Sequence, residues 1–138
     1  PIRLDYVMGA SMYVTRDFLE TVGYMDDSYF LYYEELDWAL RAGSRFKLLY
    51  SPQSLVYHKA GASAGSSNKI SARSDLADYY LIRNRVRITR KFYPHWMITV
   101  RFFLLFEWAL RLINGRWQQA HNLMAQILGR EVESLERN

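Results

Sequence analysis

Apolar residues recur with a helical period over three long segments in the second half of the chain. The segments run from about residue 70 to 93, from 95 to 113 and from 117 to 128. Pro94 divides the first segment from the second, and Asn114-Gly115 divides the second from the third. The pattern therefore predicts three consecutive helices.

The first half of the chain mixes short helical and short extended patterns. Thr15 is placed to cap a helix over Arg16–Val22, which Gly23 would end. Aromatic and β-branched residues are enriched in four further runs, which predict strands or extended segments. These runs are Tyr6–Gly9, Ser11–Val14, Phe46–Tyr50 and Ser54–His58.

A loop rich in glycine and serine, residues 61–68, predicts a domain boundary. Residues 1–68 would form one domain, and residues 69–138 would form a helical extension. Charge divides the chain in a similar way. Residues 1–58 carry five Lys/Arg and eight Asp/Glu, whereas residues 59–138 carry thirteen and six. An acidic front part and a basic back part predict different roles. The sequence has no cysteine, which excludes disulfides and thiolate metal sites.

The segment that follows Tyr33 combines three carboxylates with an arginine. Glu34, Asp37 and Arg41 recur at three and four residues, so they share one face of a predicted helix, which Gly43 would end. Acids at the start and Arg41 near the end suit the helix dipole. Taken alone, this pattern needs only helix stabilisation, with Asp37 and Arg41 as a surface pair of about 0.3–0.5 kcal/mol.

Four fragments add a more specific signal, because they occur in a fixed order. They are Gly9–Arg16 with Val22–Asp27, Tyr29–Asp37 with Arg41 and Gly43, Val56–His58, and Tyr80–Arg85 with Pro94. Together they resemble the back half of the catalytic domain of family-2 inverting glycosyltransferases, above all its rhamnosyltransferase-like bacterial members. The resemblance implies an α/β fold, namely the C-terminal portion of a GT-A (nucleotide-diphospho-sugar transferase) domain followed by a mainly helical region.

The resemblance assigns the catalytic chemistry to two neighbouring carboxylates. Inverting transfer needs a base within hydrogen-bond reach of the acceptor hydroxyl. That role falls on Glu35, with Glu34 beside it as the residue that orients it. The family usually has Glu-Asp where this chain has Glu34-Glu35.

The resemblance also implies binding positions. The acceptor-binding positions are Gly9, Ala10, Ser11 and Asp37. A tight turn between two strands explains the first three equally well. His58 matches a position that supplements the metal ligands of the family, and an ordinary strand-end residue is the alternative. The metal would be Mg²⁺ or Mn²⁺, as suits a leaving diphosphate.

The metal-binding Asp-x-Asp motif of the family does not occur in this sequence. The resemblance therefore implies a nucleotide-binding half upstream, without which the chain would transfer nothing. The donor would be a dTDP-, UDP- or GDP-sugar, and the acceptor a glycan or glycolipid of a bacterial envelope. The expected location is cytoplasmic, peripheral at the inner face of the plasma membrane.

The sequence does not decide what the basic helices bind. Five basic residues crowd into the first helix: Arg83, Arg85, Arg87, Arg90 and Lys91. The next helix is aromatic and apolar, but Arg101, Glu107 and Arg111 interrupt it, which argues against a transmembrane span. An anionic membrane surface fits this composition. Packing against the missing half or a second copy, as a homo-oligomer, fits it as well.

Two other function classes compete with the transferase. Basic residues with aromatics nearby could bind nucleic acid, but the sequence has no helix-turn-helix, zinc or aromatic-platform signature, so no nucleic-acid partner is expected. The main alternative is a non-catalytic helical module for membrane or protein interaction.

Overall fold

The computed structural model describes residues 5–58 and 74–130. Five α-helices follow one another in these ranges, and the described residues outside them form short 3₁₀ turns and irregular backbone. The helices are α1 (Arg16–Val22), α2 (Glu34–Ala42), α3 (Asp75–Phe92), α4 (Met97–Ile113) and α5 (Trp117–Ile127). Contacts divide the chain into two compact units, Pro1–Ala60 and Gly61–Asn138. The predicted boundary after residue 68 lies outside the described residues and stays a prediction.

The predicted α/β fold is wrong, because residues 5–58 and 74–130 contain helices and no β-strand. Gly9–Ser11 forms a 3₁₀ turn, and the predicted strands at 46–50 and 54–58 are irregular. Leu49, Leu55 and Tyr57 are largely exposed. Residues with high β-propensity form a strand only when a neighbouring strand pairs with their backbone, and this part of the chain offers none.

The first unit is built on a contact between α1 and α2. The Thr15 hydroxyl caps α1 by accepting from the Phe18 N–H at 3.2 Å, and Gly23 ends the helix with a φ of 81°. Phe18 meets the ring of Trp38 edge-on, with ring centroids 4.9 Å apart. The Trp38 indole N–H donates to the Gly23 carbonyl at 2.8 Å. One aromatic side chain of α2 therefore packs on α1 and also holds its C-terminal end.

The described part of the second unit, residues 74–130, is a bundle of three helices, as the apolar period predicts. Ser74 caps α3, and a 3₁₀ turn that begins at Pro94 leads into α4. The core takes one residue from each helix, Ile82, Leu104 and Leu123, each at most 2% exposed. The predicted start near residue 70 lies outside the described residues, and the other predicted helix bounds in this unit are confirmed to within two residues.

Charged side chains also join α3 to α4 inside the second unit. Arg111, only 3% exposed, donates from Nη2 to both carboxylate oxygens of Asp78, at 2.9 and 3.1 Å. Glu107 accepts from Arg85 Nη1 at 2.9 Å and from Arg111 Nη1 at 3.3 Å. Burial alone would raise the pKa of Glu107, but hydrogen bonds and charge from the two arginines outweigh it and lower the pKa.

Two of the three charges that interrupt the apolar run of α4 are therefore paired: Arg111 is buried and Glu107 is partly buried. Arg101, the third, is exposed. Among the described residues, no helix combines the length and the apolar character that crossing a membrane requires.

Candidate functional site

The candidate site lies where the Gly9–Ser11 turn meets the start of α2. The Gly9 backbone N–H donates to Glu35 Oε1 at 2.9 Å, across 26 residues of sequence. Gly9 is needed for this approach, because a Cβ added there would overlap Glu35 Oε1 and come within 3.2 Å of Glu35 Cδ. The contact orients one oxygen of the carboxylate. The other oxygen, Oε2, has no protein hydrogen bond within the described part of the chain.

Glu34, the neighbouring carboxylate, lies in a different environment. The residue is partly buried, and its Oε2 has no hydrogen-bond partner among the described residues. Burial raises the pKa of Glu34 above its ordinary 4.5; a hydrogen bond from its own backbone lowers it in part, and the charge of Glu35 raises it. The two adjacent acids therefore differ in their contacts.

The backbone that leads into α2 adopts conformations that L-residues seldom take. Phe30, Tyr32 and Tyr33 have φ values of 60°, 67° and 74°. Each such residue costs on the order of 1–3 kcal/mol and persists only where surrounding contacts impose it. Tyr29, completely buried, anchors the start of this segment, while Phe30 is 70% exposed. Local strain of this kind is concentrated at functional sites.

A buried acid holds α2 in place. Asp37 is completely buried; its Oδ1 accepts from the Tyr29 hydroxyl at 3.0 Å and its Oδ2 from Arg41 Nε at 2.7 Å. The same Arg41 side chain donates to the carbonyls of Val22 and Tyr24, both at 2.7 Å. The predicted pair of Asp37 with Arg41 is present, but it lies in the interior and ties α2 to the end of α1. These contacts favour an anchoring role for Asp37.

The structure brings some of the predicted site residues together and separates others. Gly9, Ala10 and Ser11 form one exposed turn, and Gly9 of this turn meets Glu35. His58 is exposed in irregular backbone. The acceptor-binding and catalytic roles of these residues stay predictions.

Residues 5–58 and 74–130 contain no set of ligands that matches the predicted metal site. No group of three or more His, Asp or Glu side chains lies close enough there to hold an ion. Mg²⁺ and Mn²⁺ prefer about six oxygen-rich ligands in a fixed array, and His58 does not belong to such a cluster. The metal-binding role of His58 stays a prediction.

The sequence did not predict two features of the site. The left-handed backbone at Phe30, Tyr32 and Tyr33 carries no glycine or asparagine to signal it. The hydrogen bond from Arg41 to the Val22 carbonyl at the end of α1 was also not predicted, because helical spacing reveals only the partner of Arg41 on α2. Comparisons of the chain with protein-family models, with curated proteins and with solved structures found no match.

Proposed function

We propose that this chain carries the acceptor side of an inverting glycosyltransferase, with Glu35 as the base. The observation that supports the proposal is the hydrogen bond from Gly9 to Glu35. It joins two fragments of the family resemblance that are far apart in sequence, the small-residue segment and the acidic segment. Arg41 links the same two fragments a second time, through the carbonyls of Val22 and Tyr24.

The proposed reaction is a single displacement. The acceptor oxygen forms a bond to the anomeric carbon as the bond from that carbon to the nucleotide diphosphate breaks. The hydroxyl proton passes to the Glu35 carboxylate, and the bonding electrons of the broken bond leave with the diphosphate. The contact with Gly9 orients Oε1 of Glu35, and the second oxygen can meet the hydroxyl.

Glu34 is the competing base, and its surroundings argue for a supporting role. A raised pKa brings a carboxylate closer to the range that favours proton transfer at neutral pH. However, Oε2 of Glu34 is buried, so an acceptor hydroxyl has less access to it. We therefore assign proton removal to Glu35, and we assign to Glu34 the role of orienting Glu35.

The test compares Glu35→Gln with Glu34→Gln in the complete protein. Both changes keep shape and hydrogen bonding, but only loss of the base removes proton acceptance. Release of nucleoside diphosphate from dTDP-, UDP- and GDP-sugars is measured with a bacterial envelope lipid extract as the acceptor. Glu35→Gln should lower turnover by about 10²–10⁴-fold and leave donor affinity near that of the wild type.

Full turnover with Glu35→Gln, together with an inactive Glu34→Gln variant, would move the base to Glu34. Absence of transfer from every donor would refute the proposal.

The proposal puts this activity at the inner face of a bacterial plasma membrane, where lipid-linked acceptors would be within reach. A second candidate is a helical module without catalysis, which binds a membrane or a protein. The observation that favours it is the exposed apolar side of α4. Loss of turnover with Glu35→Gln separates the two candidates, because such a module has no turnover to lose.

A further inference from the structure

Helix α4 is apolar on two opposite sides. Its inner side carries Leu104 into the core against Ile82 and Leu123. Six apolar residues on its other side are between 40% and 83% exposed, and we call them the outer face: Ile98, Phe102, Phe103, Phe106, Leu110 and Ile113. At 100° per residue they span about 140° of the helix circumference, opposite Leu104. A contiguous exposed patch of large apolar residues marks an interaction surface.

Basic residues occur before, within and after α4. Exposed Arg90 and Lys91 end α3, which a single 3₁₀ turn joins to the start of α4. Exposed Arg101 lies on α4 itself, and Arg116 follows its C-terminal end. Residues 74–130 carry nine Lys/Arg and three Asp/Glu in all.

Most of the negative charge of residues 74–130 is paired with arginine. Of the three acids in this range, Asp78 and Glu107 are bound by Arg111 and Arg85. The described residues of this part of the chain therefore present a basic surface, which complements a negatively charged partner.

Aromatic residues with polar atoms flank α4 on both sides in the chain. Trp96, 55% exposed, precedes α4, and Trp117, 67% exposed, follows it. Tyr93, at the C-terminal end of α3, is 42% exposed. Indole and phenol rings settle at the level of lipid headgroups, because the ring is apolar and its N–H or O–H can reach water.

We propose that the outer face of α4 docks on an anionic lipid bilayer, with the helix axis parallel to the membrane plane. The phenylalanine rings enter the boundary between headgroups and acyl chains, and the basic residues meet lipid phosphates. A second copy on the same face would bring two basic rims together, which disfavours a homodimer there. This inference deepens the proposed membrane location and requires nothing of the transferase chemistry.

The test measures binding of the whole chain to phosphatidylcholine vesicles with and without phosphatidylglycerol. Binding should require the anionic lipid and weaken in high salt, which shortens the Debye length. The charge variant, Arg90→Gln with Lys91→Gln, should bind about 30-fold more weakly, since each basic residue near the surface contributes about fivefold.

The apolar contribution is tested by Phe102→Ser with Phe106→Ser, which should weaken binding by at least about 100-fold. The matched control is Leu49→Ser with Leu55→Ser, which changes exposed apolar residues of the first unit and should bind like the wild type. Far-ultraviolet circular dichroism establishes that each variant keeps its helices. Fluorescence provides a second readout on the unsubstituted chain, because brominated lipids should quench Trp96 and Trp117.

Three results would overturn the proposal. The first is equal binding to neutral and anionic vesicles, or binding to neither. The second is unchanged binding by the phenylalanine variant. The third is a change of oligomeric state by that variant in sedimentation without any loss of vesicle binding, which would assign the outer face to a protein contact. Vesicle binding that persists in Glu35→Gln while turnover is lost would show that docking and catalysis are separate.

Discussion

The backbone N–H of Gly9 and the carboxylate of Glu35 form a hydrogen bond of 2.9 Å between two segments that are 26 residues apart. The partner is a backbone group, so its position is set by the fold of the turn and not by a side-chain rotamer. A carboxylate held in this way keeps its orientation before a ligand arrives, which is the condition that efficient proton transfer needs.

Gly9→Ala should displace the Glu35 carboxylate without unfolding the first unit. The added Cβ collides with the far end of a flexible side chain, and the φ of Gly9 is not in the left-handed region. We expect a change in unfolding free energy of less than about 1 kcal/mol. Turnover in the complete protein should fall by about 10²-fold, as misplacement of a reacting group can cause.

The double variant of Gly9→Ala with Glu35→Gln supplies the control. If Gly9 acts through Glu35, the double variant should be no slower than Glu35→Gln alone. Independent and additive losses in a kinetic cycle of the four proteins would contradict the role of Gly9.

Asp37→Asn should destabilise the first unit by about 2–4 kcal/mol. The change leaves the Arg41 guanidinium without its buried anion and weakens the contact with the Tyr29 hydroxyl. Chemical denaturation measures the loss, and Glu20→Gln, an exposed change on α1, is the matched control with an effect of about 0.5 kcal/mol or less. An Asp37→Asn protein as stable as this control, but unable to bind acceptor, would make Asp37 a binding residue instead.

Glu34→Gln should stabilise the first unit at neutral pH. The folded-state pKa of Glu34 is raised above 4.5, so the folded state binds the proton more tightly than the unfolded state does. Stability therefore falls as pH rises from about 4.5 through the raised pKa, and the variant lacks this loss. Hydrogen exchange of the α2 amides against pH measures the effect. The gain in unfolding free energy of the variant over the wild type should disappear below pH 4.5. A constant gain at every pH would contradict this account.

Glu107 should produce the opposite pH dependence in the second unit. Arg85 and Arg111 lower its folded-state pKa, so the stability it contributes is complete above about 4.5 and is lost as pH falls through the lowered value. Glu107→Gln should be less stable than the wild type at neutral pH, and the two should converge in acid. Exchange of the α3 and α4 amides measures this loss; a difference that grows as pH falls would refute it.

Local sequence determined the helices of this protein well. The apolar period, Pro94 and Asn114-Gly115 predicted the three helices of the second unit, and Gly43 predicted the end of α2. These signals are local, because a helix satisfies its backbone hydrogen bonds within a single segment and only its apolar side needs a partner. The predicted spacing of Asp37 and Arg41 was confirmed for the same reason.

Tertiary structure decided what depends on a distant partner. Residues 46–50 and 54–58 have the composition of strands, but a strand requires hydrogen bonds from another segment, and propensity alone does not supply them. The burial of Arg111 against Asp78 and the meeting of Gly9 with Glu35 likewise join residues that sequence spacing does not connect. Sequence thus sets which helices form, whereas packing sets which charges are buried and where Glu35 is held, because both depend on contacts that exist only after the segments come together.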